Sequence, residues 1–282
     1  MSGIWNSSEL LEVASGRLAI HRAGNGPPVL LVHAYPLSHE LWSRLVRDWS
    51  GPSVEWIAPD LFGFGGSSKP ATPDARSMRT YADDLASVLD GLAITQPVVY
   101  VGVSMAGYIG WQFVRHHRER LAGLFLACTK AAGDSPDFAA KRENAATKVL
   151  SEGIGAMRGT ARTLLGRTTR QRHPELETWL GDLIRETAPV GIAAAQRGMA
   201  QREDVRDWLP TLDCPTCFVA GEEDTFSPPE EMKGWVETIP QSEFHVVESS
   251  GHLPMLEQPA VFASHLSSFL ERTLGSSGRS SD

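Results

Sequence analysis

The chain has only three cysteines in 282 residues, Cys128, Cys214 and Cys217. So small and odd a number excludes a disulfide framework and agrees with a reducing compartment. Cys214 and Cys217 form a C-x-x-C, but no second Cys or His pair lies near them in sequence. Cys217 also falls in the apolar run 216–220, so a buried strand thiol is a better reading than a redox or metal site. Basic residues are in deficit: 26 Lys and Arg against 34 Asp and Glu leave a formal charge of −8. That argues against a nucleic-acid partner, which needs a concentrated basic surface. No apolar run approaches the ~20 residues that span a bilayer. The opening MSGIWNSSELLEV has no basic stretch followed by an apolar one, which argues against a secretory signal and for a cytoplasmic protein. There is no internal repeat.

What remains is ordinary globular composition, 41% hydrophobic and 21% charged, enough to bury one large core with an insertion. Short apolar runs rich in β-branched residues recur at 29–32, 54–58, 98–103, 121–127, 217–220 and 244–247. Runs of this kind are what strands buried on both faces look like. Helical spacing separates them, as in Tyr81, Leu85, Val88, Leu89 and Leu92, then Ile109, Phe113 and Val114, then Val261, Leu266, Phe269 and Leu270. This alternation predicts an α/β fold, a mainly parallel sheet flanked by helices and joined by right-handed crossovers. Between 134 and 204 it stops, and only helical patterns appear. Ser135-Pro136 reads as an N-cap with Pro at the first helical position, and Pro174 and Pro189 as further starts. The expected organisation is a core of 1–133 and 205–274, a helical cap of 134–204 over the carboxyl ends of the strands, and a Gly/Ser-rich disordered tail at 275–282.

The strongest chemical signal is Val98-Val-Tyr-Val-Gly102-Val-Ser104-Met-Ala106-Gly107, a buried strand running through a small-x-Ser-x-small turn into a helix. Such a turn projects the serine hydroxyl above the sheet. A serine needs a base to take its proton and a third group to orient that base. Asp224, in Gly221-Glu-Glu-Asp224, and His252, in Ser250-Gly-His252, each follow a strand, giving the order Ser, Asp, His. Glu222 and Glu223 are rival acids, and His116, His117, His245 and His265 rival histidines better suited to surface or packing roles. Oxyanion donors are expected from the N–H of Met105 and from the N–H of Tyr35 in the loop His33-Ala-Tyr-Pro36. His33 reads as a brace of that loop and Asp60 as a turn-fixing residue. Arg162, Arg167, Arg170 and Arg172 are either solvated surface or a clamp for a substrate carboxylate. Trp179, Leu183 and Met199 line either an apolar lid or the core.

Taken together, His33-Ala-Tyr-Pro36, Pro59-Asp-Leu-Phe-Gly63-Phe-Gly65-Gly-Ser67, Gly102-Val-Ser104-Met-Ala-Gly107 and Ser250-Gly-His252 resemble the α/β-hydrolase superfamily, especially the bacterial esterase and lactonase branch with HGxP-type oxyanion loops. The resemblance covers nearly all of the chain outside the tail and the middle insertion. It implies a serine hydrolase with the triad Ser104, Asp224 and His252, acting on a small ester or lactone through an acyl-enzyme, with no cofactor or metal. Such a protein is a monomer or small homo-oligomer with no nucleic-acid or membrane partner. Carbon–carbon bond cleavage in a (vinylogous) diketone uses the same triad and is the alternative. A perhydrolase side activity, or a ligand receptor or biosynthetic protein on the same fold, is also compatible. Two positions depart from the pattern: Ala34 stands where the family usually has Gly, and Ala106 where the second Gly of G-x-S-x-G stands. If the backbone at 34 needs positive φ, alanine costs about 1 to 2 kcal/mol.

Overall fold

A computed structural model describes residues 4–275. Eight strands form one sheet: β1 (Ser7–Val13), β2 (Gly16–Gly24), β3 (Pro28–Val32), β4 (Glu55–Pro59), β5 (Val98–Val103), β6 (Leu121–Ala127), β7 (Thr216–Gly221) and β8 (Ser242–Val247). Their order across the sheet is β1-β2-β4-β3-β5-β6-β7-β8. From β4 onward every neighbouring pair is parallel, and only β1–β2 and β2–β4 are antiparallel. All six predicted apolar runs are strands of this α/β sheet. The hairpin β1–β2 went unpredicted because β1, SSELLEV, is exposed or half-exposed along its length and has no continuous apolar run.

The expectation of burial on both faces fails at β8, which is the sheet edge and half-exposed along most of its length, with Val246 open to solvent. For the inner strands the period-2 alternation of side chains sorts residues into two cores. Val98, Tyr100, Phe218 and Ala220 enter one, with Tyr81, Leu85 and Ile109. Val99, Val101, Val103, Cys217 and Val219 enter the other, with Phe262, Leu266 and Phe269.

The helices covering these faces are α1 (Ser43–Arg47), α2 (Met78–Gly91) and α3 (Met105–His116), then α9 (Pro229–Val236), α10 (Pro254–Glu257) and α11 (Pro259–Gly275). Between β6 and β7 lie α4 (Pro136–Glu152), α5 (Thr160–Leu164), α6 (Arg167–Arg172), α7 (Glu175–Arg185) and α8 (Pro189–Ala200), with 3-10 turns and no strand. The Ser135 hydroxyl accepts the Phe138 N–H and Pro136 opens α4, as the N-cap signal predicts; Pro189 likewise opens α8. Of the tail 275–282, Gly275 ends α11 and the rest lies outside the described residues. No helix among the described residues is long and apolar enough to cross a membrane.

Candidate active site

The turn between β5 and α3 holds Ser104 at φ 59° and ψ −117°, a left-handed conformation for a residue with a Cβ. The strain is held from several sides: Ser104 N–H donates to Ala127 O (2.9 Å), and Ser104 O accepts from Gly107 N–H (2.8 Å) and the Thr129 hydroxyl (2.9 Å). Two glycines of this elbow have no room for a side chain: a Cβ on Gly107 would sit 2.1 Å from Thr129 Oγ1, and one on Gly102 would sit 2.8 Å from Tyr100 Cε1. Ala106, by contrast, is fully buried in an ordinary packing position, which explains why the departure from G-x-S-x-G is tolerated.

Asp224 and His252 leave the ends of adjacent strands, β7 and β8, and meet through His252 Nδ1 and Asp224 Oδ2 at 2.8 Å. Both are buried. Burial works to raise the Asp224 carboxyl, but the charge and hydrogen bond of His252 and the N–H groups of Phe226 and Ser227 outweigh it and hold the group below the ordinary carboxylate value. The rival acids are engaged elsewhere: Glu223 accepts from Thr168 N–H and hydroxyl, and Glu222 from Ser249 N–H. Among the described residues the imidazole has one side-chain hydrogen bond, to Asp224, and the Phe226 ring lies 5.0 Å away. Strand β6 runs between Ser104 and this pair. The Ser104 N–H is held by Ala127, and the next residue, Cys128, places its thiol within 4.8 Å of the Asp224 and His252 donor atoms. Burial, then the Asp224 charge, pushes the Cys128 thiol well above its ordinary value.

The loop expected to supply an oxyanion donor, His33-Ala-Tyr-Pro36, follows β3. Ala34 is fully buried and is not among the non-glycine residues at positive φ, so the strain expected of it does not arise. His33 braces the loop: its Nε2 accepts Leu61 N–H (2.9 Å) and its Nδ1 lies 3.0 Å from Ala34 O. Accepting at Nε2 makes the neutral Nδ1–H tautomer the fitting one, and burial lowers the pKa to about 4. Tyr35 N–H has no backbone acceptor among the described residues, and Met105, at the first position of α3, offers an N–H that helix geometry leaves unpaired. Asp60 fixes its turn, as expected, by accepting His39 N–H and Gly66 N–H, both at 2.8 Å. Gly65 beside it has φ +49°, and a Cβ there would lie 2.1 Å from Asp60 Oδ2.

Several contacting residues were not singled out in the sequence because they act across elements. Glu257 accepts both Leu253 N–H and Gly166 N–H, pinning the His252 loop to the stretch between α5 and α6. His252 N–H itself donates to Leu164 O. Gln196 on α8 donates to the Tyr35 hydroxyl (2.9 Å), and Thr187 donates to Pro36 O. The helical segment therefore grips both the oxyanion loop and the histidine loop. Arg162, Arg167 and Arg172 are exposed, Arg170 is half-buried, and Arg162 pairs with Glu177, which is the solvated-surface alternative. Met199 is buried in one core, and Trp179 and Leu183 pack against the other. The rival histidines are also accounted for: His117 pairs with Asp83, His116 with Arg79, and His245 stacks on His265. Cys214 and Cys217 enter opposite cores, so the C-x-x-C is divided by the sheet and cannot act as a dithiol.

Comparison with known proteins gives the same arrangement a lineage. A thermophilic esterase from Thermogutta terrifontis, whose structure is malate-bound, is 37% identical with a TM-score of 0.87, covering 95% of this chain and 99% of its own. The 2-hydroxymuconate semialdehyde hydrolase of a Pseudomonas species is 27% identical, with 92% of each chain covered. The pimeloyl-[acyl-carrier protein] methyl ester esterase of Vibrio atlanticus is 24% identical over 92% of this chain and all of its own. Residues 27–259 match the model of the alpha/beta hydrolase fold. With its mostly parallel eight-stranded sheet and flanking helices, the chain belongs to the alpha/beta hydrolase family.

Proposed function

We propose that this hydrolase cleaves a small carboxylic ester or lactone through an acyl-enzyme, with Ser104 as nucleophile, His252 as base and then acid, and Asp224 as the group that orients it. The observation that carries the reading is the buried His252 Nδ1 to Asp224 Oδ2 contact of 2.8 Å, and the strained turn that holds Ser104 at the carboxyl end of β5 supports it. With Asp224 on Nδ1–H, the Nε2 lone pair is free to accept the Ser104 proton. The hydroxyl oxygen then bonds to the substrate carbonyl carbon, and the tetrahedral oxyanion takes hydrogen bonds from the N–H groups of Tyr35 and Met105. Collapse breaks the carbon–oxygen bond, and the leaving alkoxide takes its proton from His252. Water repeats the sequence in the second half, ending with the free acid and Ser104. The first transfer needs Ser104 Oγ and His252 Nε2 within hydrogen-bond reach, a geometry of the kind that is completed when substrate binds.

The segment Pro136–Ala200 is assigned the role of cap. Its support is that Thr187 and Gln196 hold the oxyanion loop while Leu164 and Gly166 hold the His252 loop. Carbon–carbon bond hydrolysis is the second reading, favoured by the 2-hydroxymuconate semialdehyde hydrolase relative; ester cleavage is preferred because the 37% identical structure is an esterase. A reaction-free receptor is disfavoured by the intact Asp–His pair.

The test is hydrolysis of p-nitrophenyl esters from acetate to decanoate by wild type and Ser104→Ala. Expected is turnover that falls by about 10³-fold or more in the variant, with covalent labelling of Ser104 by a fluorophosphonate. Wild type inactive on every ester, yet active on a dienone-type substrate, would transfer the assignment to carbon–carbon cleavage.

A further inference from the structure

At the β8 edge, away from the three residues assigned to catalysis, Cys217, Glu243 and His245 come together with their donor atoms within 4.8 Å of one another. The sheet register builds the group. Cys217 stands opposite Glu243 and Val219 opposite His245 in the parallel β7–β8 pair, so all three side chains emerge on the face covered by α11. His245 Nε2 lies 3.4 Å from Glu243 Oε2. The other carboxylate oxygen, Oε1, is held by Arg272 of α11, which orients Oε2 toward the imidazole as an outer partner orients a metal ligand. His265, also on α11, stacks on His245 with ring centroids 4.1 Å apart. Cys217 is fully buried, while the Glu243 and His245 side chains are 37% and 32% exposed, so the thiol lies beneath two ligands that solvent reaches.

From this geometry we infer a binding site for a borderline-soft divalent cation, with zinc as the best-fitting ion. Thiolate, imidazole and carboxylate form a donor set that zinc accepts, and the fourth position falls to water. A tetrahedral zinc site needs donors roughly 3.3 to 3.8 Å apart, so closing this group takes side-chain shifts of about 1 Å. Binding would expel the Cys217 proton to solvent and tie the edge strand to α11. The C-x-x-C suggested a metal only weakly from sequence, and its partner Cys214 lies across the sheet; the ligands are supplied by β8 instead.

Cobalt(II) titration of the chelator-treated full-length protein tests this, because a cobalt–thiolate bond produces a near-ultraviolet charge-transfer band. Expected is a band that saturates at one ion per chain, is displaced by zinc, is absent from Cys217→Ser and persists in Cys128→Ser. His245→Asn and Glu243→Gln, at half-exposed positions that should not threaten folding, should each weaken binding about tenfold or more. Circular dichroism identifies any variant that fails to fold, and the two half-exposed variants then decide. No thiolate band in wild type overturns the inference. So does a band lost in Cys128→Ser and kept in Cys217→Ser, which would place the ion on the Cys128, Asp224 and His252 donors.

Discussion

At the scale of single residues, three acids occupy consecutive positions 222 to 224 and only one meets the imidazole. Asp224→Asn should lower kcat/KM for the best ester by about 10⁴-fold, because the amide presents a donor where Nδ1–H needs an acceptor. Glu223→Gln, which loses only hydrogen bonds to Thr168, should leave most of the activity, and equal losses in both variants would contradict the assignment. Two histidines, His33 and His39, make pH predictions of opposite sign. Burial depresses His33 from 6.5 to about 4, so the unfolded chain binds the extra proton between these values. Its contribution, about 3 kcal/mol at most, is complete above pH 6.5 and is lost as pH falls toward 4. Burial alone would also lower His39, but hydrogen bonds and charges of Asp60 and Glu40 outweigh it and raise the group to about 9. Its stabilisation is complete below pH 6.5 and disappears as pH rises through 9. Denaturation midpoints across pH should therefore show a wild-type advantage over His39→Gln that shrinks from pH 6.5 to 9. An advantage that grew across that interval would reverse the sign.

At the scale of elements, the turn at Ser104 shows why local motifs read well. Strand β5, the elbow and α3 are contiguous in sequence, so the buried run, the small residues and the serine could be recognised together. The steric demand at Gly107 could not be, because the atom that excludes a side chain there belongs to Thr129, beyond the next strand. Gly107→Ala should lower unfolding free energy by about 1 to 3 kcal/mol, measured in urea, and reduce ester turnover by displacing Thr129 from Ser104 O. A neutral result would show that β6 can yield. Strand β8 errs in the other direction. Its short apolar run resembled an interior strand, yet pairing on one side only leaves it at the edge, where Glu243 and His245 stay accessible.

At the scale of the whole molecule, the helical segment and the sheet share their interiors. Ala161, Leu164, Leu165, Leu180 and Ile184 pack in the same cluster as Val99, Val101 and Phe125, while Ala195 and Met199 join Tyr81 and Ile109. Such continuity predicts one cooperative transition: unfolding followed by tryptophan fluorescence and by far-ultraviolet circular dichroism should coincide. An earlier transition in one probe would mean that the segment melts by itself.

The sequence alone determined the α/β class, the six strands β3 to β8, the helical interruption, and Ser104, Asp224 and His252 as candidates, because each rests on a run or turn signal read within a few residues. Only the tertiary structure decided which acid faces His252, that Ala34 carries no strain, that Glu257 and Gln196 tie the helical segment to the site, and that Cys217 shares a face with His245 rather than with Cys214. Those outcomes depend on strand order and register, which bring together atoms separated by tens to more than a hundred residues; no local pattern encodes them.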